Sequence, residues 1–132
     1  MSDERRETFG AALEQSEQLF AAAGVVGYEA RALPLFYALS QAGRAIMAMS
    51  SKDDWKTSSH GMGAEQLDGS VSDVQLQNQK KGLFISVADE IRSSGLVGAV
   101  RLGDVLASIS EVSSTVPRAL AGSPALLLRR QR

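Results

Sequence analysis

Cysteine is missing from these 132 residues, histidine and tryptophan occur once each, and proline only three times. Without cysteine there is no disulfide framework, no thiolate nucleophile and no Cys-based zinc site. A single histidine leaves carboxylates as the remaining metal ligands, and Asp53, Asp54, Glu65 and Asp68 lack ligand spacing. No metal and no cofactor are therefore expected. Gly61-Met62-Gly63 lacks the third glycine of a dinucleotide loop, and Gly95-Leu96-Val97-Gly98 lacks the Lys-Ser/Thr pair of a phosphate loop. Serines are plentiful, but no nucleophile elbow frames one. No apolar run reaches the ~18–20 residues of a membrane span. Asp3-Glu4-Arg5-Arg6 is not the start of a signal peptide. A cytoplasmic, bacterial-type globular protein is the expectation, with no membrane partner.

The balance of 14 basic against 15 acidic residues hides an asymmetry. Arg118, Arg129, Arg130 and Arg132 lie in the last fifteen residues, which hold no acid, so the rest carries ten basic residues against fifteen acidic. A mildly acidic body does not favour a broad phosphate-binding face, since affinity for nucleic acid comes mainly from clustered Lys and Arg. Residues 116–132 read as a basic tail punctuated by Pro117 and Pro124.

What the chain does have is helical periodicity. Ser2 followed by Asp3 and Glu4 makes a good helix start. Phe9, Ala12, Leu13, Ser16, Leu19, Phe20 and Ala23 then keep helical spacing, which predicts a helix over 3–23 ended by Gly24. Leu35, Leu39, Ala42, Ile46 and Met49 recur at i, i+4, i+7, i+11 and i+14, the expected core face of a second helix over about 33–49. Pro34 belongs in the first turn of that helix or at a kink after a lead-in turn over 28–31. Gly43, inside the helix, suggests the close approach of another backbone. The short connector makes the two helices an antiparallel pair.

Residues 50–68 read as a loop holding Trp55 and His60, long enough to suggest a purpose. Val71–Leu76, the turn-like Asn78–Gly82 and the apolar Leu83–Ile85 predict a small β-hairpin over about 71–86, with a helix over 86–93. The competing reading starts that helix near Gly82. A further short helix begins near Gly103-Asp104. The fold class expected is mainly α: an antiparallel helix pair with short helices and a small β-hairpin insertion.

Tyr37, Gln41 and Arg44 form a hydrogen-bonding stripe beside the apolar one. With Arg31, Trp55 and His60 they are the candidate binding residues, on the expectation that the stripe meets the Trp55–His60 loop. The alternative to a pocket is a buried polar network that fixes helix register. An enzyme would need Arg44 or Arg31 brought to His60, the arginine stabilising phosphate charge and the histidine moving the proton.

Ala30–Ile46 also resembles the signature of the YaaC-like proteins, in which Arg and Pro-Leu precede an aromatic pair and an Ala-rich helical run. Trp55, His60-Gly61-Met62, Gly82-Leu83-Phe84 and Leu102–Glu111 resemble further landmarks in the same order, so that the likeness spans about residues 5–115. The resemblance implies one α-rich domain over 1–115, an N-terminal part of a longer family pattern, with kinship to HEPN-type helical domains. It implies an RNA or protein partner and a homodimer through the helix pair. HEPN ribonucleases carry an Arg separated from His by four to six residues. Asp53, Asp54 and Trp55 stand at those places here, so a non-catalytic binding module leads. A ribonuclease built on the catalytic candidates Arg44 and His60 is the alternative.

Overall fold

Two long helices account for much of the chain in the computed structural model, which describes residues 1–57 and 59–109. Helix α1 spans Asp3–Val25, and the Ser2 hydroxyl accepts the Arg5 N–H at 3.3 Å to cap its start. Gly24 does not end it. The helix runs one residue further and closes where the Val26 N–H donates to the Ala22 carbonyl. A 3-10 turn at Tyr28–Ala30 leads into α2, Ala32–Met49, so the lead-in turn forms and Pro34 also lies in the first helical turn. There its missing N–H would have had no partner in the helix.

The two helices are antiparallel. Ser16 Oγ donates to the Ala38 carbonyl at 3.0 Å, and Arg5 donates to the carbonyls of Ser50 and Lys52 at the other end. The last turn of α2 carries no basic residue of its own. Arg5 supplies the cation that its exposed carbonyls and negative dipole end favour.

The seam between these helices departs from the expected core. Its buried residues are small: Ala12, Ser16 and Ala23 on α1, and Ala38, Ala45 and Ala48 on α2. Small side chains let the axes come close, and a helix packed that way hides little of its large apolar residues. Met47, 1% exposed, is the large residue buried most completely among the described residues; it follows Gly43 by four residues and so shares that face of α2. Leu39 and Met49, expected in the core, are 64% and 58% exposed.

Helix α3, Leu83–Glu90, packs on α2 at Gly43. A Cβ on Gly43 would stand 3.2 Å from Val87 and 3.3 Å from Leu83, so side chains rather than a backbone fill the space the glycine leaves. The end of α3 is a two-bond cap, with Ser93 N–H donating to the Ala88 carbonyl and Arg92 N–H to that of Asp89. Arg92 takes the left-handed conformation this cap requires, at φ 55°. These helices, with the loop to Gly61, make up one unit, residues 1–61 and 81–93.

The second unit contains Met62–Lys80 and the described residues from Ser94. Its three antiparallel strands, β1 (Met62–Glu65), β2 (Gln75–Asn78) and β3 (Val100–Arg101), lie in the order β1-β2-β3. Met62 pairs with Asn78 and Glu65 with Gln75, while Leu76 pairs with Val100. The hairpin therefore joins β2 to a strand upstream in the long loop, and the 71–86 pairing does not form. Leu83 instead begins a helix, as the competing reading had it. Helix α4, Leu102–Ala107, follows β3, and Arg101 grips Asp104 through two hydrogen bonds at 3.0 and 3.2 Å. That hydrogen bonding and the Asp104 charge raise the Arg101 pKa above its ordinary value. Residues 110–132, with the expected basic tail and the end of the 102–111 landmark, lie outside the described residues.

Candidate functional site

Five of the six candidate residues are divided among three places in the first unit, and the sixth, Gln41, belongs to none of them. Arg44 lines a concavity of about 210 Å³ with Thr8, Trp55, Lys56 and Thr57. The Trp55 ring is flanked by two cations, Arg5 at 5.1 Å and Lys56 at 5.3 Å from its centroid. Lys56 is ion-paired with Glu4, and Arg5 is committed to the end of α2. Among the described residues Arg44 has no such partner.

His60, in the loop that follows α2, meets that helix at another place. Its ring stands edge-on to Phe36, centroids 4.8 Å apart, and Phe36 in turn meets Tyr37 edge-on at 5.4 Å. Phe36 and Arg44 are eight residues apart, about 12 Å along the axis at ~1.5 Å per residue. Among the described residues no hydrogen bond joins Arg44 to His60. Arg31 forms a third place: its guanidinium stands 6.0 Å from the Tyr28 ring centroid and donates to the Val26 carbonyl at 3.4 Å, while its Nε is buried without a partner. Gln41 is half-buried on α2 and brings none of these together.

The backbone at His60 has a clear task. Its carbonyl accepts the Phe84 N–H at 2.9 Å, and the Ser59 carbonyl accepts the Leu83 N–H at 2.9 Å. Two N–H groups at the start of α3 that no helical carbonyl satisfies are thus capped by the loop. This contact needs glycine on both sides. A Cβ on Gly82, at φ 140°, would stand 2.3 Å from the Gly61 Cα, and Gly61 itself has φ 82°. The His60-Gly61-Met62 and Gly82-Leu83-Phe84 landmarks meet here, for a structural reason.

An apolar strip of α2 is also exposed. A groove of about 420 Å³ is lined by Phe9 and Leu13 of α1, Ala42, Ala45, Ile46 and Met49 of α2, and Glu90 of α3. Leu39 and Phe20 extend the exposed apolar surface along both helices. The sequence singles out this face by its periodicity but places it in the core, whereas Leu39, Ile46 and Met49 are exposed. The signal available was the run of small residues at helical spacing, Ala12, Ser16 and Ala23 against Ala38, Ala45 and Ala48, which competes with the leucine strip for the seam.

A close-packed helix pair with a capped third helix and an open apolar face defines a mainly helical protein, and no described helix is long and apolar enough to cross a membrane. The YaaC-like protein family model matches residues 1–131, and the chain belongs to that family. Neither a curated protein nor a solved structure matches it.

Proposed function

We propose that this YaaC-like chain is a non-catalytic helical module that binds a protein partner through the open face of its helix pair. The observation that carries this reading is the exposure of Leu39, Ile46 and Met49 on α2 beside Leu13 and Phe20 on α1. Contiguous apolar surface of this kind in a water-soluble domain marks an interaction site.

Nucleic acid, the other partner considered, has less support. Arg5, Arg6, Lys52 and Lys56 of the helical unit are already engaged, by backbone carbonyls, Asp3, Glu90 and Glu4 respectively. Phosphate affinity needs cations that are clustered and available. The ribonuclease alternative needs Arg44 and His60 at one phosphate, and nothing observed joins them. The same reading takes the mainly helical build as kin to HEPN-type domains and places the protein in the cytoplasm.

Crosslinking of the purified full chain, alone and in extract, tests the reading. A crosslinked product is expected with the wild type and is lost in Ile46→Glu, whose helical circular dichroism stays unchanged. Equal crosslinking in that variant overturns the proposal. A gel shift on RNA at low salt, weakening as salt rises, would replace it with the nucleic-acid reading, and RNA cleavage lost in His60→Ala would favour the enzyme.

A further inference from the structure

Between Ala32 and Met49 the sole charged side chain is Arg44. Three and four residues to either side stand Ser40, Gln41, Met47 and Ala48, so its own helix offers no carboxylate at pairing distance. Across the seam, the α1 residue that shares its concavity is Thr8, and among the described residues no ion pair reaches Arg44. The concavity, about 210 Å³, has room for about seven waters at ~30 Å³ each. All five residues that line it, Thr8, Arg44, Trp55, Lys56 and Thr57, carry a hydrogen-bond donor, and none is a carboxylate. It shares no residue with the apolar groove.

The charge around this concavity is positive. Lys56 is balanced by Glu4, but Arg5, beside the Trp55 ring, donates to the neutral carbonyls of Ser50 and Lys52. Among the described residues, Arg5 and Arg44 are thus two cations without a carboxylate partner near one half-buried indole. We infer that the concavity is a binding site for a small oxyanion, the carboxylate or phosphate group of a small molecule, with Arg44 as its charge partner. A planar guanidinium matches either group with two parallel hydrogen bonds, and the Thr8 and Thr57 hydroxyls rotate to suit further oxygens. The volume is below the ~300–1,000 Å³ of pockets for drug-sized ligands, which limits what enters to a smaller molecule. One available arginine with two hydroxyls serves one anionic group, whereas a nucleic-acid backbone needs a row of cations. The site is separate from the open apolar face, and neither role depends on the other.

Trp55 is the sole tryptophan, so its fluorescence reports on the site directly. The full chain is titrated with sodium phosphate and, separately, with sodium acetate, at fixed ionic strength so that screening stays constant. Thermal unfolding is followed in parallel, because a ligand that binds the folded chain raises its melting temperature. A saturable response in one or both readouts is expected with at least one of the two anions. Arg44→Gln should bind that anion about tenfold more weakly or worse, the scale of one hydrogen bond to a charged group. Arg44→Lys, which keeps the charge without the fork, should fall between the two. Val25→Ser, at an exposed site outside the concavity, should bind as the wild type does. No saturable response to either anion in either readout overturns the inference, and so does equal affinity in Arg44→Gln with its helical circular dichroism intact. If Arg44→Gln loses that circular dichroism, Thr57→Val takes its place, with weaker binding expected and equal affinity overturning the inference. A fluorescence change with a single-stranded oligonucleotide at concentrations far below those of phosphate also overturns it, in favour of a nucleic-acid backbone.

Discussion

The seam and the open face of α2 follow opposite rules. At the seam, Ala38 and Ala48 are fully buried and Ser16 reaches across to a backbone carbonyl. On the open face, residues with far more apolar surface remain in water. The difference teaches that closeness of approach, rather than the hydrophobicity of the residues available, decided which side of the helix packs. A helix flanked by alanines lets its neighbour in close, gaining dispersion contacts and a hydrogen bond from a side chain of one helix to the backbone of the other. The large side chains, held off by that geometry, are left for another surface.

If close approach governs, the most damaging changes are those that add atoms where backbones touch. Gly82→Ala should cost on the order of 3 kcal/mol or more, since its Cβ meets Gly61 and its backbone is one that side chains rarely adopt. Urea unfolding measures this, and a loss under about 1 kcal/mol would mean the loop does not dock on α3 as described. Ala38→Leu tests the seam itself. Although it adds apolar surface, it should destabilise by about 1–3 kcal/mol through overpacking, and a gain in the unfolding midpoint would break the comparison. Ser16→Ala removes the hydroxyl that crosses the seam and should cost about 1 kcal/mol, because the Ala38 carbonyl keeps its helical bond. The smallest effect belongs to the open face. Leu39→Gln should change the stability of the protein by no more than about 0.5 kcal/mol, as for other surface substitutions. A larger loss would mean Leu39 already packs within one chain.

Much of the local structure was legible in the residues. Ser2 and the acidic first turn marked the start of α1, and Pro34 marked the first turn of α2, because capping and proline geometry act over a few residues. The pairing of the strands was not legible. Gln75–Asn78 has a β-compatible pattern, but nothing local says that Met62–Glu65, within a stretch that reads as loop, is its neighbour. Gly82 read as a hairpin turn, whereas its actual use is to admit Gly61 beside the start of α3. The stripe of Tyr37, Gln41 and Arg44 was legible as a helical face, yet only folding could show that Trp55 approaches Arg44 while His60 approaches Phe36.

The sequence by itself determined the two long helices, their ends to within two residues and their antiparallel order, since these depend on short-range hydrogen bonding and on chain connectivity. It also contained two candidate seams on α2, one of leucine, isoleucine and methionine and one of alanine. Only the tertiary structure decided between them. Hydrophobic periodicity measures what a face would gain by burial, whereas the packed pair also reflects how near two backbones can come, a property of both helices together.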